Sequence, residues 1–134
     1  MTTLRMESTI KGILVLENHR EMIESYRFGE IRIDGVRYTS DLIILPSGVK
    51  PNWWRREGHR LSLEDLEEVL REKPETLVIG TGYSGLMRVP KELIERLRAE
   101  GIEVIVQRTG EAWKTYNQLS RERRRVAAAF HLTC

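Results

Sequence analysis

Gly80, Gly82 and Gly85, in the stretch TLVIGTGYSGLMRVP of residues 76–90, spell G-x-G-x-x-G behind a β-branched apolar run. A dinucleotide-binding turn uses that spelling when a helix opens within the glycines, so that its first N–H groups face a pyrophosphate. Here Leu86, Met87, Arg88 and Val89 stand between Gly85 and the helix start signalled by Pro90. The next strand, IEVIV, runs into Gln107 and Arg108 where the acidic ribose partner belongs. A P-loop requires G-x-x-x-x-G-K-[ST], and Leu86 and Met87 replace its lysine and hydroxyl. A nucleophile elbow, G-x-S-x-G, lacks its second glycine at Leu86. His131 is the only histidine downstream of Ser84 to serve as a base. The loop is therefore a tight glycine turn after a strand, permitting positive φ and close backbone approach. Open α/β sheets bind ligands at that end of their strands, which makes Thr81, Ser84, Asn117 and His131 candidate polar contacts of a crevice there.

Two further groups have reactive or adhesive residue types. His131 and Cys134 invite a dyad, but in one continuous strand residues three apart face opposite ways. Cys134 then shares a face with Phe130 and Leu132 and reads as a buried small residue. His19, His59 and His131 are scattered and there is one cysteine, so no metal-site spacing exists. WWRREGHR, from Trp53, and RERRR, residues 121–125, are basic runs, the first aromatic; Glu57 and Glu122 dilute them. Arg121 to Arg125 also suit a helix C-terminus. Adjacent tryptophans with flanking arginines favour a protein interface over nucleic acid; the plainer alternative is one Trp in the core and one shielding an irregular loop.

These residues need elements to hold them. The expected order is a β-rich beginning followed by helix–strand–helix–strand–helix–strand. YRFGEIRI reads as one strand with Phe28, Ile31 and Ile33 inward, followed by an Asp-Gly hairpin turn and a second short strand. DLIILPSG is a compact apolar strand, and VKPNWWRREGH is irregular. Ser62 caps a helix to Lys73 with Leu63, Leu66, Val69 and Leu70 on one face. TLVIG has the continuous apolar character of a buried parallel strand. Pro90 suits the first position of a helix burying Leu93, Ile94 and Leu97, which Gly101 ends. IEVIVQ is the next strand. Thr109 is placed to cap a helix striped by Ala112, Trp113, Tyr116 and Leu119, and VAAAFHLTC closes as a strand. Such alternation predicts an α/β fold with a central, mostly parallel sheet and an added N-terminal β layer.

A length of 134 residues fits one domain with a real core. Hydrophobic and charged fractions of 40% and 31% are those of an ordinary globular protein with an ionised surface, and a net charge of +2 makes no whole-molecule case for nucleic acid or anionic membrane. A lone cysteine excludes an intrachain disulfide. No apolar run approaches the roughly 20 residues of a spanning helix, and IKGILVL followed by ENHRE makes a poor signal peptide. The cytoplasm is the expected compartment. The strong patterning begins after Met22, so residues 1–22 are expected to be an extension or a mis-assigned start, and residues 23–134 the domain.

RFGEIRIDGVRYTSDLIILPSG, the Trp–Arg segment to Gly58 and His59, LVIGTGYSGLMRVP, TYNQL and RRVAAAFHLTC together resemble a known family. It is the family of small α/β domains of unknown molecular function that includes the adipogenesis-associated domain protein and a mitochondrial complex I (NADH dehydrogenase) assembly factor. The resemblance implies a three-layer fold with a central mixed sheet, no established catalytic activity and no cofactor. Its motif positions fall here on Trp54, His59, Gly80, Gly82, Tyr116, Asn117, His131 and Cys134. The expected function is a non-enzymatic protein-interaction or assembly-factor-like module with a protein partner. A small-ligand protein or weak enzyme using the glycine crevice is the alternative, and nucleic-acid binding through Arg121–Arg125 the third reading. The sequence leaves a homo-oligomer open.

Overall fold

The computed structural model describes residues 22–134, so the expected extension, Met22 apart, lies outside the described residues. Strict period-two burial organises what is seen. In β4 (Leu42–Leu45), Ile43 and Leu45 join one apolar cluster while Leu42 and Ile44 join another. In β6 (Thr76–Thr81) the split is Leu77 and Ile79 against Val78; in β8 (Val126–His131) it is Ala127 and Ala129 against Ala128 and Phe130. A sheet buried on both faces needs apolar residues at every position, which is why these strands read as unbroken apolar runs.

Together with β5 (Gly48–Pro51) and β7 (Glu103–Gln107) these strands make, among the described residues, a five-stranded sheet in the order β5-β4-β8-β6-β7. β6 is parallel to β8 and to β7, and β4 is antiparallel to β8 and to β5. The sheet is thus mixed, with only β4 running against the rest. One cluster lies under α1 (Glu67–Glu72) and α2 (Lys91–Ala99) and contains Leu66, Val69, Leu93 and Leu97. The other takes Ala112 and Tyr116 from α3 (Thr109–Arg121) together with Ile23, Ile31 and Ile33 of a separate antiparallel sheet. That sheet, β1 (Ile23–Arg27), β2 (Glu30–Ile33) and β3 (Val36–Tyr38), is the expected extra β layer. Among the described residues no helix is long and apolar enough to cross a membrane.

Several local expectations need correction. YRFGEIRI is two strands, not one: Gly29 turns the chain at φ +76°, and its N–H donates to the Leu132 carbonyl. Phe28 at that turn is 55% exposed rather than inward. The supposedly irregular Val49–Pro51 segment belongs to β5, folded back on β4 after a turn at Pro46 and Ser47. Ser62 does form a capping box with Asp65, but the first turn is a 3₁₀ helix, Leu63–Leu66, before α1 begins. Pro90 is the N-cap of α2 rather than its first residue. Thr109 is the first residue of α3 and not its cap; its hydroxyl donates to His131 O and accepts from Gly82 N–H. The final strand ends at His131, so Cys134 leaves the sheet and is half-buried. The Asp34–Gly35 turn holds as expected, both residues having positive φ as a tight hairpin turn requires.

Candidate functional site

The carboxyl ends of β6 and β8 and the loop before β4 meet at one end of the sheet. Asp41, immediately ahead of β4, is the hub. Its Oδ1 accepts the Leu132 N–H at 2.8 Å. Its Oδ2 lies 2.8 Å from both Arg55 Nη1 and His131 Nδ1. The Arg55 side chain is only 6% exposed and the His131 side chain 7%. Arg55 also donates from Nε and Nη2 to the Gly58 carbonyl, which closes the loop around it.

The histidine contacts fix a tautomer. His131 Nδ1 approaches the Asp41 carboxylate at 2.8 Å and Arg55 Nη2 at 3.2 Å. A carboxylate only accepts and a guanidinium only donates, so one nitrogen cannot satisfy both. The shorter contact places the hydrogen on Nδ1, and Arg55 Nη2 finds its acceptor in Gly58 O at 2.8 Å. His131 Nε2 is then buried without a partner among the described residues. The His59 ring meets that of His131 edge-on, with centroids 5.7 Å apart. Burial pushes the Asp41 carboxyl up, but the His131 bond, the Leu132 N–H and Arg55 together outweigh it and hold the group below its ordinary value.

The two tryptophans divide as expected. Trp53 is half-buried, packs on the α1/α2-side core, and donates its indole N–H to Asp65 O at 2.9 Å. Arg55 lies over its ring, 4.8 Å from the centroid. Trp54 is 86% exposed. It stands between two concavities. One of about 370 Å³ is bounded by Lys50, Asp65, Glu68 and Arg71; one of about 440 Å³ is bounded by Thr39, Asp41, Arg55, Gly58 and Thr133.

The glycine loop is occupied by the protein's own tail. Tyr83 N–H donates to Thr133 O at 2.7 Å, and the N–H groups of Ser84 and Leu86 converge on Cys134 O at 3.2 and 3.0 Å. Gly82, at φ +109°, lies so close that a Cβ there would sit 2.4 Å from the Cys134 carbonyl carbon. A Cβ on Gly80 would be 2.7 Å from both Phe130 and the Thr109 hydroxyl. These glycines therefore admit neighbouring chain, and the backbone donors that would face a ligand hold the tail. Thr81 Oγ1 donates to Gln107 O. Asn117 is remote from the loop's contacts: its amide clamps Ile23, accepting from that residue's N–H at 3.0 Å and donating to its carbonyl at 2.7 Å. Of the expected site residues, His131 and His59 meet, Trp54 borders the same region, Gly82 and Ser84 hold the tail, and Gly80 and Thr81 pack against Thr109 and Gln107 instead. Asp41 was missed, and nothing local in its sequence marks it. The arginines of residues 121–125 are partly tied within the fold: Arg124 pairs with Glu75 and Glu103, and Arg125 bonds Glu72 O.

Residues 23–131 match a family model described as a protein of unknown function (DUF498/DUF598). The chain belongs to this family. The family resemblance read from the G-T-G and F-H-x-T-C motifs thus agrees with the match. A Danio rerio relative of this DUF498/DUF598 chain, NADH dehydrogenase (ubiquinone) 1 alpha subcomplex assembly factor 3, is 35% identical over 111 residues, covering 81% of this chain and 62% of the relative. The chain spans 58–62% of the length of the curated relatives it matches. A solved structure described as an outer membrane protein from Bartonella henselae has a TM-score of 0.74 at 33% identity, covering 87% of this chain and 98% of that one. A conserved hypothetical protein from Pyrococcus horikoshii OT3 has a TM-score of 0.68 at 33% identity, covering 84% and 98%.

Proposed function

We propose that residues 23–134 act as a non-enzymatic protein-interaction module with an assembly-factor-like role, docking a partner protein through the face around Trp54. The observation that carries this reading is an indole 86% exposed on a braced support. Trp53 anchors the preceding position in the core, Arg55 anchors the following one on Asp41, and concavities lie to either side. A large aromatic held ready pays little ordering entropy on binding, which is the property of an interface anchor. The name of the Danio rerio relative supports a protein as partner. The cytoplasm is the proposed setting, in keeping with a chain in which 31% of residues are charged.

Affinity capture from the native cell tests the proposal, using the wild type and Trp54→Ala side by side. The wild type retains a specific partner; Trp54→Ala weakens it by roughly 30-fold or more, the scale of losing a hot-spot tryptophan. The thermal midpoint stays unchanged, because the side chain removed is exposed. Failure to recover a partner, or equal recovery by both proteins, would overturn it.

A further inference from the structure

The two outer strands of the five-stranded sheet are defended unequally. β5 has Lys50 and Pro51, a charge and a residue without an N–H, both common guards of an open edge. β7 reads EVIVQ, with one charge at its beginning and no proline, glycine or lysine. Val106 on it is 39% exposed. Among the described residues no strand pairs with its outer side.

The direction of the β7 backbone groups follows from one bond. Glu103 N–H donates to Glu75 O, toward β6. Alternation along a parallel ladder then turns the N–H and C=O of Glu103, Ile105 and Gln107 to β6, and those of Val104 and Val106 to the open side. Val104 lies in the core under α2, and Val106 shares its face by the strand period.

We propose that β7 is a self-pairing edge, through which two copies of the chain join antiparallel about a two-fold axis at Ile105. The pattern is self-complementary. With Ile105 opposite the second copy's Ile105, Val104 falls opposite Val106 and each pair exchanges both of its outward N–H···O bonds. Four backbone hydrogen bonds result, and the apolar side chains meet like with like. Glu103 faces the second copy's Gln107, so no like charges oppose each other. An isologous contact of this kind closes at two and leaves no further β7 edge. One strand pair is small beside the ~1,200 Å² of a stable interface, so dimerisation is concentration-dependent. The Trp54 face is not used, and the two associations are separable.

Sedimentation equilibrium of the full chain across micromolar to millimolar concentration is the test, with amide hydrogen exchange at both extremes. The wild type moves from 15.7 kDa toward twice that mass, and the Val104 and Val106 amides become protected as it does. Val106→Lys and Val106→Pro, which place a charge or delete a donor on the open side, stay at the single-chain mass with wild-type circular dichroism. The exchange data on the unaltered protein decide the matter should a variant fail to fold. A wild type that stays monomeric throughout, protection that does not grow at Val104 and Val106, or folded variants that still dimerise would each overturn the proposal, the last by assigning the dimer to another face.

Discussion

Asp41 shows how one carboxylate organises a site that sequence patterning does not mark. It is 17% exposed, receives a backbone N–H, a guanidinium and an imidazole N–H, and lies 90 residues from His131 along the chain. Its ionised form is favoured by those donors, which hold its pKa in the folded state below that of an ordinary aspartate. A depressed carboxylate contributes stability that is fully present above its unfolded pKa and fades as pH falls through the folded one. Asp41→Asn should therefore destabilise the protein near neutral pH by about 3 kcal/mol, because Arg55 is left buried without its counter-charge. As pH drops below the ordinary aspartate range and through the lowered folded value, the wild type loses the same contribution and the gap between the two proteins narrows. Urea unfolding midpoints at neutral pH and at successive acid pH values measure both effects. A gap that stays constant into acid would show that Asp41 acts through shape rather than charge.

At the scale of elements, the glycine loop is a packing joint. Gly80 lets β6 approach the first turn of α3 and the Phe130 ring, while Gly82 lets the tail cross the loop. Gly80→Ala should cost roughly 1–3 kcal/mol, the range for forcing an extra methyl into a filled core. Gly110→Ala, in the first turn of α3 with nothing within 4 Å of the added methyl, should be neutral or slightly stabilising. Chemical denaturation of the pair checks the contrast; equal losses would mean that helix propensity rather than close approach governs these positions. The same joint shows what the sequence made legible. Strand–turn–helix order, the late start of α2 and the strand character of β6 and β8 follow from local pattern, and all are seen. The Phe28–Gly29 turn is not legible, because its N–H partner is Leu132, on the far end of the chain. Neither is the seating of Thr133 and Cys134 on Tyr83, Ser84 and Leu86, nor the role of Thr109 as a brace between Gly82 and His131. Each is a tertiary hydrogen bond, and residue spacing contains no information about it. A motif reading singled out Gly82 and His131, while the contact that joins their surroundings needed the fold.

Among the described residues, two sheets are held together largely by one helix. The three-stranded sheet places Ile23, Ile31 and Ile33 against the α3 side of the five-stranded sheet. Polar ties fix the approach: Asn117 clamps both backbone groups of Ile23, Tyr26 Oη donates to Leu132 O at 2.8 Å, and Gly29 N–H donates to the same carbonyl. Burial, with the nearby charges of Tyr83 and Asp41, pushes the Tyr26 hydroxyl up to about 12, so the phenol remains a donor throughout the neutral range. The Asn117 clamp is the decisive tie, because removing it leaves two buried backbone groups of Ile23 without partners. An unsatisfied buried group costs about 1–3 kcal/mol, against a net contribution of roughly 1 kcal/mol for a single ordinary hydrogen bond such as that of Tyr26. Asn117→Ala should thus lose more stability than Tyr26→Phe. Its effect should also be uneven: amide exchange in β1 and β2 speeds up through opening of the small sheet, while β6 and β8 exchange only with global unfolding. Native-state hydrogen exchange of the two variants separates these behaviours. If Asn117→Ala lowered protection equally in all strands, the small sheet would be an inseparable part of the core rather than a layer clipped onto α3.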